Sequence, residues 1–499
     1  MILCVTEKPS VALELAKVLG ANTKKDGFYE GNGYAITWTY GHFCTLKAPD
    51  DYDKRLRFWD INWLPIIPNK FGIKLIENES AIRQFKVIES LIQNPDYTEI
   101  INCGDAAQEG ELIQRWVYQK AGNKKPVKRL WISSLTETAI KEGFANLKDS
   151  KAYDRLYYAG SARAIGDWLL GINASRLYTV KYGAGKNVLS IGRVQTPTLA
   201  MIVNRFLEIE KFNSEAFWEL KTNYRDVLFN YEGGRFTEKE VGDKLLTEIT
   251  NQPFEIVDFS KNPGKEFSPR LFDLTALQVD CNKKLNLSAD ETLKIVQGLY
   301  ERKLVTYPRV DTTYLPTDMY PKIEGILRQL KTYTKETQTI FEKGISNTKR
   351  VFDDSKITDH HAIIPTGIHA SSMRGEEAAV YEAIVLRFLA NFYPDCEASN
   401  TKVQGKVLDY LFNASGKEIL KLGWKELYQK GDDNDDEKEN EKEQSIPAFD
   451  SGESGPHEAQ LIEKKTQPPK LYTEATLLRA METAGKQVED EELRELMKS

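Results

Sequence analysis

The chain has 499 residues, 41% hydrophobic and 28% charged, with a formal net charge of −6. That length exceeds what one hydrophobic core serves and implies several domains, and no uninterrupted apolar run of about 18 residues argues for a membrane span. The start, MILCVTEKPS, lacks the parts of a secretory signal, and five scattered cysteines without a CxxC pair encode neither a zinc ribbon nor a disulfide framework, so the reading is cytoplasmic.

MILCV is a short apolar run leading into TEKPSVALELAKVLG, where Pro9 opens a helix, Val11, Leu15 and Val18 mark one apolar face, and Gly20 closes it. The same order returns in TEIINCGDAAQEGELIQRWVYQKAG. A strand through Ile100 and Ile101 meets a turn at Gly104-Asp105, then a helix with Ile113, Trp116 and Val117 inward. The first 150 residues therefore read as α/β. In an open parallel sheet the ligand crevice lies at the carboxyl ends of the strands, and Glu7, Asp105 and Glu109 all fall near such ends. Residues 151–210 read as helical, with Thr196 and Pro197 as cap and first turn of the second helix. Residues 216–262 alternate in strand fashion. Helices return over 272–302, where Ser288 and Glu291 form a capping box ahead of Leu293, Val296 and Tyr300, and run on to about residue 400. A strand-like stretch, 402–413, precedes GWKELY and then GDDNDDEKENEKE (431–443), whose eight acids against two lysines account for the whole net charge. This block reads as a solvated loop, and DNA binding requires the remaining cations to be clustered. TEATLLRAMETAG reads as the last helix. The return to strand-like text after a helical stretch implies a discontinuous domain.

Several constellations carry chemistry. Glu7, Asp105 and Glu109 are hard carboxylates of the kind Mg²⁺ takes, with Lys8 beside them to hold a phosphate or protonate a leaving oxygen. Equally, they suit surface positions at helix starts, where the dipole favours acids. In LVTYPRVDTTYLP (304–316), Pro308 pushes Tyr307 toward extended geometry, and Arg309 lies on the same face if the segment stays extended. A phenol beside a fork-shaped cation suits a nucleophile next to a phosphate clamp; it also suits a strand end with a half-buried Tyr and a surface Arg. SIGRVQTP (190–197) offers side-chain and backbone donors to a phosphodiester, or is a loop between packed elements. Arg163 and Asp167 stand at i,i+4 on a helix, either as a surface ion pair or as an Arg facing a nucleotide and oriented by its acid. The paired histidines of DHHAIIPT (359–366) lack metal spacing, leaving a phosphate or proton contact or a buried, satisfied histidine. YGAGKN (182–187) lacks the first glycine and the terminal Ser/Thr of a P-loop, so ATP is not implied.

Nine blocks occur in one order along nearly the whole chain: TEKPSVALELA, YGHFCTLKAPDDYD, GDAAQEGELI, YYAGSARAIGDWLLGIN, SIGRVQTPTLA, LTALQ, LYERKLVTYPRVDTTYLP, HHAIIPTG and PPKLYTEATLLRAME. In these the chain resembles the type IA DNA topoisomerases, specifically the bacterial topoisomerase III branch. The resemblance implies a multidomain toroid, α/β plus α plus β. A Toprim domain occupies 1–150. A helical DNA-binding domain takes 151–212 and, as a second part, 469–499. A β-rich arch takes 213–268 and 401–468, with the acidic loop, and a helical domain at 269–400 carries the tyrosine.

The activity so implied is Mg²⁺-dependent, ATP-independent and zinc-free. One DNA strand is cut through a 5′-phosphotyrosyl link, DNA is passed and the strand rejoined, relaxing negative supercoils or decatenating. The implied protein is a monomer acting on single-stranded or underwound DNA at the bacterial nucleoid. By the same resemblance Tyr307 matches the nucleophile and Arg309 the group that stabilises the transition state. Lys8 matches the position that protonates the departing oxygen, Glu7 the one that manages that proton or the metal, and His360 a support of the phosphate network. Mg²⁺ would use Glu7, Asp105 and Glu109. DNA would meet His42, Arg163, Asp167, Arg176, Ser190, Ile191, Gly192, Arg193, Val194 and Gln195. The Tyr307 hydroxyl is expected to project into a cleft rather than a core, with local cations favouring the phenolate as it attacks.

Three departures qualify the match. Where the family reads D-x-D-x-E, residues 105–109 put Ala107 for the second acid and Gln108 for the arginine, implying weaker Mg²⁺ binding with Glu111 as a substitute ligand. Val310 and Thr312 replace Thr and Ser. The sequence stops at EELRELMKS, before the point where relatives carry GxGTPATR, which implies a truncated piece. These motivate two rivals: a DNA-binding ring without efficient catalysis, and a Toprim nuclease or primase, which leaves the tyrosine and GRVQTP blocks idle.

Overall fold

The computed structural model describes residues 1–183, 187–357, 360–368, 373–428, 446–484 and 491. The acidic block 431–443, the centre of YGAGKN, Asp359 and the end of the last helical part lie outside the described residues.

The N-terminal unit is built on a seven-stranded sheet in the order Thr23–Lys25, Phe28–Gly31, Tyr34–Trp38, Ile2–Thr6, Glu99–Cys103, Val127–Arg129, Lys148–Asp149. Its four inner strands are parallel and its flanking strands antiparallel. ILCVT and EIINC are apolar enough to be covered on both faces, as parallel strands must be. Helix Pro9–Leu19 lies on one face, ended by Gly20 at φ 78°, a left-handed position where glycine escapes the Cβ penalty. Helices Glu79–Gln93 and Gln108–Lys120 cover the other, burying Phe85, Ile88, Trp116 and Val117.

Two helices follow, Asp154–Tyr182 and Gln195–Glu210. The second starts one residue ahead of the expected Thr196 cap; Thr196 lies inside its first turn and its hydroxyl accepts from the Gly192 N–H at 3.0 Å. Residues 216–465 supply a seven-stranded antiparallel sheet in the order Ser454–Gly455, Phe254–Glu266, Cys396–Val407, Tyr410–Lys421, Val227–Phe236, Ala216–Tyr224, Glu458–Lys465. The strand text expected for 216–262 is interrupted by helix Lys239–Ile249, which buries Leu245 and Ile249. The strand expected at 402–413 is the end of one limb, the turn and the start of the other limb of a long hairpin, Cys396–Val407 with Tyr410–Lys421.

Strand Phe254–Glu266 pairs with Cys396–Val407 up to Glu266↔Cys396, so the chain leaves and re-enters this sheet at one point. Between them stand helices Leu274–Leu285, Ala289–Glu301, Tyr320–Gln329, Thr334–Lys343 and Gly375–Ala390. The capping box of the second is formed as expected, Ser288 accepting from Glu291 N–H at 3.2 Å. The core of this helical insert is continuous with that under helix Pro9–Leu19: Val11, Leu15 and Ile140 belong to one apolar cluster with Leu299, Val305 and Tyr307. That shared core seats the insert on the N-terminal unit. No helix among the described residues is long and apolar enough to cross a membrane.

Candidate active site

The parallel pairing of Ile2–Thr6 with Glu99–Cys103 sets Thr6 opposite Cys103, so the residues that follow each strand emerge side by side. Glu7 Oε2 accepts from the Asp105 backbone N–H at 3.3 Å. Burial first, then the Asp105 charge, push the Glu7 carboxyl up to about 7, against the pull of Lys8. Lys8 Nζ donates to Asp105 Oδ2 at 3.2 Å. Glu109 sits in the first turn of helix Gln108–Lys120 and has both oxygens engaged: Oε1 with His42 Nε2 at 3.1 Å and Oε2 with Arg309 Nη1 at 3.1 Å. The His42 hydrogen bond, followed by the Arg309 and Arg163 cations, holds its carboxyl below the usual range despite burial. Among the described residues no three His, Cys, Asp or Glu side chains stand ready-made around a metal position. The three carboxylates converge with the chain's own cations between them.

Ala107 is the N-cap of that helix and has no side chain to cap it. Close approach of turn and helix depends on Gly110. A Cβ there would lie 2.1 Å from the Asp105 carbonyl oxygen and 2.9 Å from its carbon, with no flexible side chain to yield. Gly110→Ala is expected to cost the N-terminal unit about 1–3 kcal/mol, read by hydrogen exchange as lost protection of the Asp105 amide and of the first turn of the helix.

Beneath the turn lies a buried ionic strut. Arg129 Nη1 donates to the carbonyls of Gly104 (2.7 Å) and Leu130 (2.7 Å), and Nη2 to that of Asp105 (2.7 Å). Its counter-ion is Glu111 at 2.5 Å, and both side chains are fully buried. Glu111 also accepts from Arg115 Nε at 2.8 Å and Asn102 Nδ2 at 3.1 Å. It is thus no substitute metal ligand: its oxygens are consumed on the inner side of the helix. Nothing in KRLW marks Arg129 in advance, since a buried arginine at a strand end has no periodic signature.

The segment around Tyr307 is extended but not free. Thr306 N–H donates to Ile364 O at 3.0 Å, and Tyr307 N–H reaches across to Ser133 O of the N-terminal unit at 3.0 Å. The Tyr307 ring is 3% exposed, packed on His360 (centroids 4.5 Å) and edge-on to Tyr300 (5.4 Å). The expected projection into a cleft is therefore wrong for this closed arrangement: the ring completes the core between insert and N-terminal unit. In this DNA-free arrangement the phenol is not activated. Burial first, then the Asp105 and Glu7 charges, push the phenol above its ordinary pKa, and Arg309 opposes them without prevailing.

His360 Nδ1 meets Ser133 Oγ at 2.9 Å, and its ring stacks on Trp131, which stacks on Tyr153. Burial, then the neighbouring His361 and Arg129, push its pKa down to about 3, so the imidazole is neutral. His361 is buried as well, with its Nδ1 against Ala362 O at 2.8 Å. Ser133 and Trp131 escaped the sequence reading because LWISSLT carries no chemical pattern of its own.

The remaining sequence-predicted residues divide. Asp167 pairs with Arg193 (Nε to Oδ1, 2.8 Å) rather than with Arg163, because the 190–197 loop folds back onto the long helix. Arg163 is exposed and reaches Asp167 and Glu109 through its field alone. Ser190 Oγ accepts from Gln195 Nε2 at 2.8 Å, and the Ile191 and Gly192 N–H groups, expected to be offered to a phosphodiester, are taken by Ser175 and Thr196 hydroxyls. Val194 is half exposed at the helix start. Arg176 is buried, donating to Leu56 O at 2.7 Å with its guanidinium over Trp59. It anchors the 54–63 loop and is not presented to a ligand.

Comparison with known proteins gives consistent findings. A Toprim domain family model matches residues 2–135, and a DNA topoisomerase family model matches residues 151–485. DNA topoisomerase 3 of Bacillus subtilis (strain 168) is 38% identical over 499 residues, covering 98% of this chain and 68% of the relative. DNA topoisomerase 3 of Bacillus cereus is 39% identical over 513 residues, covering 99% and 69%. Among solved structures, full-length topoisomerase I from Thermotoga maritima in a monoclinic crystal form superposes with a TM-score of 0.68 at 21% identity, covering 97% of this chain and 75% of that one.

Proposed function

This chain belongs to the type IA DNA topoisomerase family, and from that premise we propose that Tyr307 attacks a phosphodiester of single-stranded or underwound DNA. The phenol releases its proton to solvent as its oxygen bonds to phosphorus, the P–O3′ bond breaks, and the leaving 3′ oxygen takes a proton. The 5′-phosphotyrosyl link conserves the bond energy, so religation by the 3′-hydroxyl needs no ATP. Arg309 is the cation for the charge that develops on the phosphoryl oxygens. Lys8, held on Asp105, stands where it can deliver the proton to the departing oxygen, and Glu7 where it can resupply it. Neutral His360 buttresses the Tyr307 ring and keeps Ser133 engaged. Arg163 and Arg193 supply cations toward the DNA backbone.

The single observation that carries this reading is the convergence of Arg309 and Tyr307, from the insert, on the acidic turn some 200 residues earlier, through the 3.1 Å Arg309–Glu109 contact. An all-oxygen set of Glu7, Asp105 and Glu109 suits Mg²⁺, and the Glu7 carboxyl, pushed up by burial first and then by the Asp105 charge, is one that a divalent ion would hold ionised. When bound, Mg²⁺ supplies electrostatic stabilisation of the phosphate. Relaxation or decatenation of DNA by a monomer at the cytoplasmic nucleoid follows from the same reading.

The test is to quench a reaction with a labelled single-stranded oligonucleotide in denaturant, digest, and map the adduct by mass spectrometry. A nucleotide 5′-phosphate on the Tyr307 peptide is expected. Nicked product without adduct points to a nuclease, and topological change with Tyr307 unmodified overturns the reading.

A further inference from the structure

The charged groups around the acidic turn form two closed pairs, Lys8–Asp105 at 3.2 Å and Arg309–Glu109 at 3.1 Å. In each pair one member is suited to a phosphate and the other to a divalent cation. A phosphodiester entering this cleft competes with Asp105 and Glu109 for the two cations. A divalent cation competes with Lys8 and Arg309 for the two carboxylates. Each ligand therefore undoes the contact that opposes the other. The pairs also differ in origin: Lys8, Asp105 and Glu109 belong to the N-terminal unit, whereas Arg309 comes from the insert.

We propose that DNA phosphate and divalent cation bind this turn with positive linkage, because the chain's own ion pairs keep the site self-neutralised until both ligands are present. The inference rests on the assignment of phosphate and metal to this cleft made above and goes beyond it in stating how the two depend on each other. Linkage is reciprocal, so each ligand raises the affinity of the other by one and the same factor, here on the order of ten-fold. Lys8–Asp105, with side chains 23% and 9% exposed, contributes more than Arg309–Glu109, whose side chains are 47% and 54% exposed and better screened. His42 holds the second Glu109 oxygen at 3.1 Å, a further contact that a cation at Glu109 has to displace.

The experiment uses the full chain carrying Tyr307→Phe, so that no strand is cut. Fluorescence anisotropy of a labelled single-stranded oligonucleotide is read with and without saturating Mg²⁺ at constant ionic strength, and Mn²⁺ binding is read by electron paramagnetic resonance with and without the oligonucleotide. Both dissociation constants are expected to fall by the same factor of about ten. Arg309→Gln, added to this background, is expected to tighten Mn²⁺ binding in the absence of DNA several-fold and to shrink the linkage factor. Arg163→Gln makes the same change of charge near Glu109 without breaking a pair. It is expected to weaken DNA binding equally in the presence and absence of metal, leaving the linkage factor in place. A factor of one, a negative linkage, or a factor undiminished by Arg309→Gln overturns the proposal. Adduct formation by the wild-type chain in the same buffer is scored separately, so loss of linkage and loss of the catalytic reading are told apart.

Discussion

Relaxation of a negatively supercoiled plasmid in Mg²⁺ without nucleotide is expected to fall on the order of 10⁴-fold or more in Tyr307→Phe, the scale seen when a covalent nucleophile is removed. Oligonucleotide binding and stability are expected to persist. The substituted ring keeps its contacts with His360 at 4.5 Å and Tyr300 at 5.4 Å, and losing one hydroxyl costs about 1 kcal/mol or less. This contrast follows from where the phenol sits. At 3% exposure, and with its pKa raised by burial and by Asp105 and Glu7, it is neutral and sealed in the closed arrangement. A DNA strand that reaches the phenol must therefore displace contacts that join insert and N-terminal unit here, among them the Tyr307–Ser133 backbone bond, Ser133–His360, Lys303–Glu14, Lys322–Glu142 at 3.2 Å and Arg309–Glu109 at 3.1 Å. A gel assay of relaxation beside anisotropy of the same variant checks the prediction; relaxation that survives the substitution sinks the assigned nucleophile.

The same burial explains what was legible in the sequence. Periodic apolar text located the strands Ile2–Thr6 and Glu99–Cys103, the helices that follow them and the Ser288–Glu291 capping box, since each is decided by its own residues and near neighbours. Helix Lys239–Ile249 was missed because it rests on a sheet whose strands carry one polar face, so its short apolar stripe merged with their alternation. In the site, Glu7, Asp105, Glu109, Lys8, Arg309 and Tyr307 were legible as residue types, but their pairing was not. Whether Glu109 meets Arg309, or Asp167 meets Arg193 in place of Arg163, depends on contacts between segments distant in sequence. Arg129 and Ser133 were illegible, and Glu111 was read as a metal ligand rather than a counter-ion, for a further reason: they act through backbone carbonyls and buried contacts that leave no mark on spacing or charge pattern.

Glu111→Ala is expected to destabilise the N-terminal unit by about 3–5 kcal/mol, the cost of stranding a buried charge by removing its partner. Arg129 is fully buried and pairs with Glu111 at 2.5 Å; without that carboxylate its cation keeps only carbonyl acceptors. Arg115 loses less, because Asp154 still accepts from it at 2.6 Å. Helix propensity offsets little, alanine being better than glutamate by a few tenths of a kcal/mol. Since a chain of several units has no single unfolding midpoint, the measurement is hydrogen exchange of the Glu99–Cys103 amides, and unchanged protection would remove Glu111 from any structural role. The double replacement Arg129→Met with Glu111→Leu separates stability from positioning. Two apolar side chains of similar volume can restore the lost stability, yet they leave the Gly104 and Asp105 carbonyls without the guanidinium that orients them. Stability is therefore expected to recover while relaxation stays impaired. That split marks the ion pair as the strut that aims the acidic turn at Tyr307, because a pair serving stability alone would give both back together.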